Sequence, residues 1–268
     1  MDASQAIGVF DSGIGGLTVA NAIKSVMPNE RLIYFGDTAH LPYGEKSEEA
    51  VKHFSERISQ FLLGQKCKAI VIACNTASSL AYEHVLECFG DKAIIFNVID
   101  PVADSLADLP AENIGVIGTR ATVNSDIYRR KIVAKNPLMK VKSLATPLLA
   151  HIIEEGFFNN TISEAAIHEY LEDPKLQGID KLILACTHYP LIQKQIDAFY
   201  KGKVKILNSA DLVAHYIRKG LSQEGLCANK RSEQKDHFFV SDYTESFNAS
   251  ARMFFQEEIH LESCPIWL

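Results

Sequence analysis

Two stretches of the chain follow one pattern. Residues 68–78 read KAIVIACNTAS and residues 180–190 read DKLILACTHYP. Each has a charged start, a continuous apolar run, then Ala-Cys and small polar residues. An unbroken apolar run of this length suits a strand covered on both faces. A second echo lies upstream of each, where AIGVFDSGIGGLTV begins at Ala6 and NIGVIGTRATV at Asn113. Ile7 then corresponds to Ile114, an offset of 107, and Cys74 to Cys186, an offset of 112. Two matches in the same order at nearly one offset predict two related α/β halves.

The rest of the chain fits that plan. Further strands are expected from Arg31, Ala93, Lys140 and Lys203, in addition to those from Ala6, Ala69, Asn113 and Lys181. Helical patterns lie between them. SEEAVKHFSERISQFLLG opens on a Ser47 cap with Glu49 in its first turn and closes at Gly64. SADLVAHYIRKGL places Leu212, Val213, Tyr216, Ile217 and Leu221 on one face. Strands alternating with helices at this spacing predict an α/β fold with mostly parallel sheets. The expected division is residues 1–97 plus 208–268 for the first half and 98–207 for the second. Ligands of open α/β sheets bind beyond the carboxyl ends of strands. Asp11, Cys74, Thr119 and Cys186 all fall there, so facing halves bring one thiol to each side of a cleft.

Composition narrows the function. A net charge of −6 over 268 residues supplies no basic face for nucleic acid. No apolar run approaches the ~18 residues of a membrane span, and the N-terminus lacks the basic n-region of a secretory signal. Six scattered cysteines with no C-x-x-C favour free thiols in a reducing cytoplasm. Cys67, Cys88, Cys227 and Cys264 read as structural.

Four motifs carry chemistry. DSGIGG, from Asp11, can let backbone approach a ligand, but Thr18 stands where a dinucleotide fingerprint needs its third glycine. No Gly-Lys-Ser/Thr follows, so it is not a P-loop. In CNTAS, Cys74 precedes a helix start, where the dipole favours a thiolate. In CTHYP, His188 lies two residues beyond Cys186, close enough to assist it. Cys186 and His188 lack the partners that complete a zinc site, so no metal is expected. The Pro42-Tyr43-Gly44 turn offers a phenol and a glycine N–H to a ligand carboxylate.

Two opposed thiols suit one reaction class well. Inverting a chiral carbon by proton transfer needs a base on one face and an acid on the other. A cysteine, with a free pKa near ~8.5, is mostly neutral at pH 7, so one must be activated by a neighbour. Asp11 stands ready beside Cys74 and His188 beside Cys186, with Asn-Thr and Thr-His donors to stabilise a carbanion.

DSGIGG, PYG, CNTA and CTHYP, in this order and spacing, resemble the glutamate racemases of bacterial cell-wall synthesis. The resemblance covers essentially the whole chain. It implies two α/β domains related by pseudo-twofold symmetry, with the active site between them. It implies interconversion of L- and D-glutamate for peptidoglycan without pyridoxal phosphate, any other cofactor, or metal. Cys74 and Cys186 then serve opposite faces of the α-carbon, assisted by Asp11 and His188. The family's glutamate before a glycine best matches Glu155, with Glu154 the alternative. Ser12, Asn75, Thr76 and Thr187 would hold the α-amino and α-carboxylate groups. Tyr43 and Gly44 would meet the side-chain carboxylate, helped by Thr119 and Thr122. One departure is His40, where many members carry Arg. The ten residues before Asp11 leave no room for the N-terminal extension of members activated by a cell-wall precursor.

Three other readings stay open at this level: an aspartate racemase, a non-catalytic two-lobed binder of acidic amino acids, and a one-thiol hydrolase. Oligomeric state, a homodimer included, is not encoded in these patterns.

Overall fold

Ten strands build two sheets in the computed structural model, which describes residues 1–267. They are β1 (Ile7–Asp11), β2 (Leu32–Gly36), β3 (Ala69–Ile72), β4 (Ile94–Asn97), β5 (Asn113–Gly118), β6 (Lys140–Ala145), β7 (Lys181–Ala185), β8 (Lys205–Leu207), β9 (His237–Val240) and β10 (Leu261–Ser263). The first sheet has the order β10-β9-β2-β1-β3-β4 and the second β6-β5-β7-β8. Every pairing among them is parallel. The order β2-β1-β3-β4 in one sheet recurs as β6-β5-β7-β8 in the other. The sequence echo thus sits at equivalent strands: Ile7 and Ile114 lie in the central strands β1 and β5, and the two cysteines follow β3 and β7.

Burial explains why these segments read as continuous apolar runs. In β1, Ile7 and Val9 face one core while Phe10 faces a second on the other side of the sheet. In β3, Val71 and Ile72 divide the same way. The first of these cores also takes in Ile114, Val116, Leu182 and Leu184 from the second sheet, so one apolar body runs through both halves.

Helices follow their local signals. The helix Glu48–Gly64 starts where Ser47 Oγ accepts the Ala50 N–H at 3.2 Å, and buries Val51, Ile58 and Leu62. Ser209–Gln223 buries Val213, Ile217 and Leu221 and packs on the helices Leu17–Val26 and Asp100–Ser105. Strands β9 and β10 fall outside the strands that the sequence predicts. They are short and lie at the edge of the first sheet, where only the Phe238-Phe239 pair signals burial. No helix among the described residues is long and apolar enough to cross a membrane.

Candidate active site

Each cysteine sits one or two residues past a strand, at the start of a helical turn. Cys74 caps the helix Asn75–Leu80, its Sγ accepting the Ala77 N–H at 3.4 Å. The thiol also reaches Ser12 Oγ at 3.7 Å. Burial pushes this thiol up to about 12, and the negative Asp11 pushes in the same direction against those hydrogen bonds. Cys74 is therefore built to hold its proton.

Asp11, at the end of β1, is fully buried. Its Oδ2 accepts N–H groups from Gly13 (3.2 Å) and Gly16 (3.0 Å), while its Oδ1 has no partner within the protein. Burial raises its pKa, opposed by the charge of His188 and by the two N–H groups. The glycine-rich turn brings this loop onto the other half of the molecule. A Cβ at Gly15 would lie 2.5 Å from Thr187 Oγ1 and 2.7 Å from His188 Cε1, so only glycine lets the two segments meet. Thr18 Oγ1 lies 3.4 Å from the Thr187 carbonyl across the same contact.

Cys186 follows β7 and faces a charged relay. Its Sγ lies 3.6 Å from His188 Nδ1, which is also 3.4 Å from Thr187 Oγ1. His188 Nε2 lies 2.9 Å from Glu154 Oε1, an ion pair rather than an aligned hydrogen bond. Burial works against a charge on His188, but Cys186 and Glu154 outweigh it and hold the imidazole well above its ordinary pKa. For Glu154, burial again opposes charge, and the pairing with His188 prevails and lowers the carboxyl. Phe254 packs edge-on against the His188 ring at 5.4 Å between centroids.

Here the sequence expectation needs a correction. Glu155 is exposed, and Glu154 is the carboxylate that reaches His188. The helix Pro147–Glu154 ends at this point, and one residue rotates the side chain by about 100°.

The remaining expected residues gather along the seam between the sheets. Thr76 Oγ1 lies 2.9 Å from Thr119 Oγ1 and 3.4 Å from Thr122 Oγ1, and those two are 3.0 Å apart. Tyr128, which no sequence signal singled out, donates to Asn75 Oδ1 at 2.6 Å and leaves the buried Asn75 Nδ2 without a partner. Gly44 packs against Thr119 so closely that a Cβ would lie 2.7 Å from the Thr119 Cβ.

Tyr43 differs from its expected use as a ligand donor. Its phenol is buried and donates to Asp37 Oδ2 at 2.6 Å. Asp37 is itself buried and also receives Ser241 Oγ (2.8 Å) and Trp267 Nε1 (2.9 Å), with His40 Nδ1 at 3.0 Å. The phenolic proton is thus committed. What Tyr43 and Gly44 retain for a ligand are backbone N–H groups at the start of the short turn Tyr43–Glu45, which lack partners inside it. His40, the departure from the family pattern, belongs to this Asp37 cluster and stacks on Phe54 at 4.1 Å.

The arrangement offers two thiols in unlike settings, one protonated and one beside an imidazolium. The same loops carry a buried unpaired acceptor, Asp11 Oδ1, and a buried unpaired donor, Asn75 Nδ2. Such a set can bind a zwitterion and move protons on either side of it.

Comparison with known proteins gives a consistent result. The family model described as Asp/Glu/Hydantoin racemase matches residues 17–217. A glutamate racemase of Chlorobaculum parvum is 38% identical over 254 residues, covering 94% of this chain and 93% of that protein. One from Neisseria meningitidis is 39% identical over 248 residues, 92% of each. The crystal structure of a Francisella tularensis glutamate racemase in complex with D-glutamate superposes with a TM-score of 0.92 at 37% identity, covering 99% of both chains.

Proposed function

The chain belongs to the Asp/Glu/hydantoin racemase family, and from that premise we propose that it interconverts L- and D-glutamate by two-base proton transfer, supplying D-glutamate for peptidoglycan in the cytoplasm. The observation that carries this reading is the unlike pair of thiols: Cys74 against Asp11 and Ser12, Cys186 against His188 and Glu154. On the same premise we divide the chain into residues 1–97 plus 208–268 and residues 98–207.

The α-ammonium of glutamate sits against Asp11 Oδ1 and Ser12. Its α-carboxylate takes Asn75 Nδ2 and the hydroxyls of Thr76 and Thr187. The side-chain carboxylate takes the N–H groups of Tyr43 and Gly44 and the Thr119–Thr122 hydroxyls. A protonated His188 stabilises negative charge on the Cys186 sulfur, and that thiolate removes the α-proton from one face. Its new S–H holds that proton while the electron pair rests on the α-carbon and its carboxylate. The Cys74 thiol then gives its proton to the opposite face and becomes the thiolate. One proton leaves carbon, one arrives, and the charge moves from one sulfur to the other. The reverse reaction starts from that state. Donors already aimed at the α-carboxylate stabilise the carbanion without reorganisation.

Incubation with L-glutamate in D₂O tests this. Deuterium at the α-carbon of the D-product is expected with no added cofactor. Inversion that retains the original α-hydrogen, or no inversion, overturns it.

Two substitutions probe individual roles. Glu154→Gln removes the carboxylate that helps keep His188 protonated, so the imidazolium is lost at lower pH. The alkaline limb of kcat/KM should therefore move to lower pH, because the ion pair with Glu154 is one of the interactions that hold the imidazolium. Glu155→Gln should leave the profile in place.

Tyr43→Phe separates phenol from backbone recognition. A phenol bonded to the substrate carboxylate would cost about 1.5–3 kcal/mol on removal, roughly 10- to 150-fold in KM. Because Asp37 holds this phenol, KM should rise less than about tenfold. The measurable loss should be in stability, since the buried Asp37 is left with one donor fewer.

A further inference from the structure

A second cluster of ligating groups lies away from the cleft. Glu56, on the helix Glu48–Gly64, faces His84 and Cys88, which lie one turn apart on the helix Tyr82–Phe89. The three ligand atoms lie within 4.8 Å of one another. His84 Nε2 is the shared point, 2.8 Å from Glu56 Oε2 and 3.9 Å from Cys88 Sγ. All three residues are partly exposed, so a cation and a water molecule can reach them.

The geometry points to a site for a zinc-class divalent cation, held by Glu56, His84 and Cys88 with water as the fourth ligand. In a tetrahedral zinc site, bonds of about 2.0 Å to N and O and 2.3 Å to S put neighbouring N and O ligands ~3.3 Å apart and N and S ~3.6 Å apart. The two distances at Nε2 bracket these values. Each needs to change by only about half an ångström, within reach of side-chain rotation.

The donor set also selects the ion. Thiolate and imidazole favour Zn²⁺, Co²⁺ or Cd²⁺ over the oxygen-seeking Mg²⁺ and Ca²⁺. On binding, Cys88 gives its proton to solvent and the freed sulfur lone pair bonds the metal, while neutral His84 contributes its Nε2 lone pair. The carboxylate and thiolate together then cancel the charge of the cation. Without a cation, one ring nitrogen faces both acidic groups and can donate a proton to only one of them. On this proposal Cys88 does more than the structural part its sequence setting suggests.

The site joins two helices that both pack against the short helix Asn75–Leu80, whose cap is Cys74. A bound cation clamps that neighbourhood from its outer side.

The test uses reduced, chelator-stripped protein in which Cys74→Ser and Cys186→Ser remove the thiols of the cleft. Titration with Cd²⁺ should give one equivalent with a thiolate-to-metal charge-transfer band, and Zn²⁺ should compete for it. Adding Cys88→Ser should abolish the band, and His84→Ala or Glu56→Gln should weaken binding at least about tenfold. Zn²⁺ should raise the thermal midpoint of the parent and not of the Cys88→Ser protein. No binding by the parent, or equal binding with and without Cys88, overturns the proposal.

Discussion

Cys74→Ala and Cys186→Ala each lower glutamate racemisation by about 10²–10⁴-fold, the usual worth of a positioned acid or base. The expected loss is in kcat, because neither sulfur is assigned to binding the carboxylates. The two variants should also differ in a way that ordinary inactivation does not produce. Each retains one thiol, which can still remove an α-proton from its own face, exchange it with solvent and return it to that face. In D₂O, one variant should therefore wash deuterium into L-glutamate and the other into D-glutamate, with no inversion in either. Proton NMR of the α-position reads this directly. Normal racemisation by either variant, or exchange of the same enantiomer by both, would falsify the two-base mechanism.

The second large effect is on stability and lies at the opposite end of the strands. Lys68, immediately before β3, is 0% exposed and pairs with Glu30, which is 2% exposed, at 2.6 Å. The ammonium also donates to the Ala3 carbonyl at 2.6 Å, and Glu30 Oε1 accepts the Ala228 N–H at 2.8 Å. The pair thus ties the N-terminus and the segment before β9 to the first sheet. Lys68→Met leaves a buried carboxylate without its counter-charge, which costs about 3–5 kcal/mol. For a chain of this size the melting midpoint should fall by roughly 6–20 °C. Turnover measured well below that midpoint should stay near the parent's, since Lys68 is remote from both thiols. Adding Glu30→Gln should restore part of the loss by removing the stranded charge. A Lys68→Met protein that melts with the parent would show that the pair contributes nothing net.

Much of the architecture was legible because buried parallel strands leave an unmistakable trace. All eight expected strands are present, and in β1 to β4 alternate residues enter cores on opposite sides of the sheet. The echo between Ile7 and Ile114 reports a real equivalence of strand order. What escaped is equally physical. HFFV and LES are too short to carry a period, and their places in the sheet are set by pairing, HFFV beside β2 and LES beside HFFV, rather than by their own pattern. The choice between Glu154 and Glu155 depends on the phase of a helix end, which one residue changes by a quarter turn. The commitment of the Tyr43 phenol depends on Asp37, itself held by Ser241 and Trp267 more than 200 positions away. No local spacing encodes such a contact. Lys68 read as the polar lip of a strand, since an isolated lysine is almost never fully buried unless paired.

One feature of the topology bears on how a ligand gets in. The backbone leaves the six-stranded sheet after β4 and comes back to it before β9, crossing the boundary twice, and the helices that follow the two crossings pack on each other. A lid on a single tether can pivot in any direction. One fastened at two neighbouring points swings about the line joining them, like a book on its spine. On the two-thiol mechanism proposed above, such a hinge would part the sulfurs and return them along one arc, so that each closure would restore the same alignment on either side of a bound carbon.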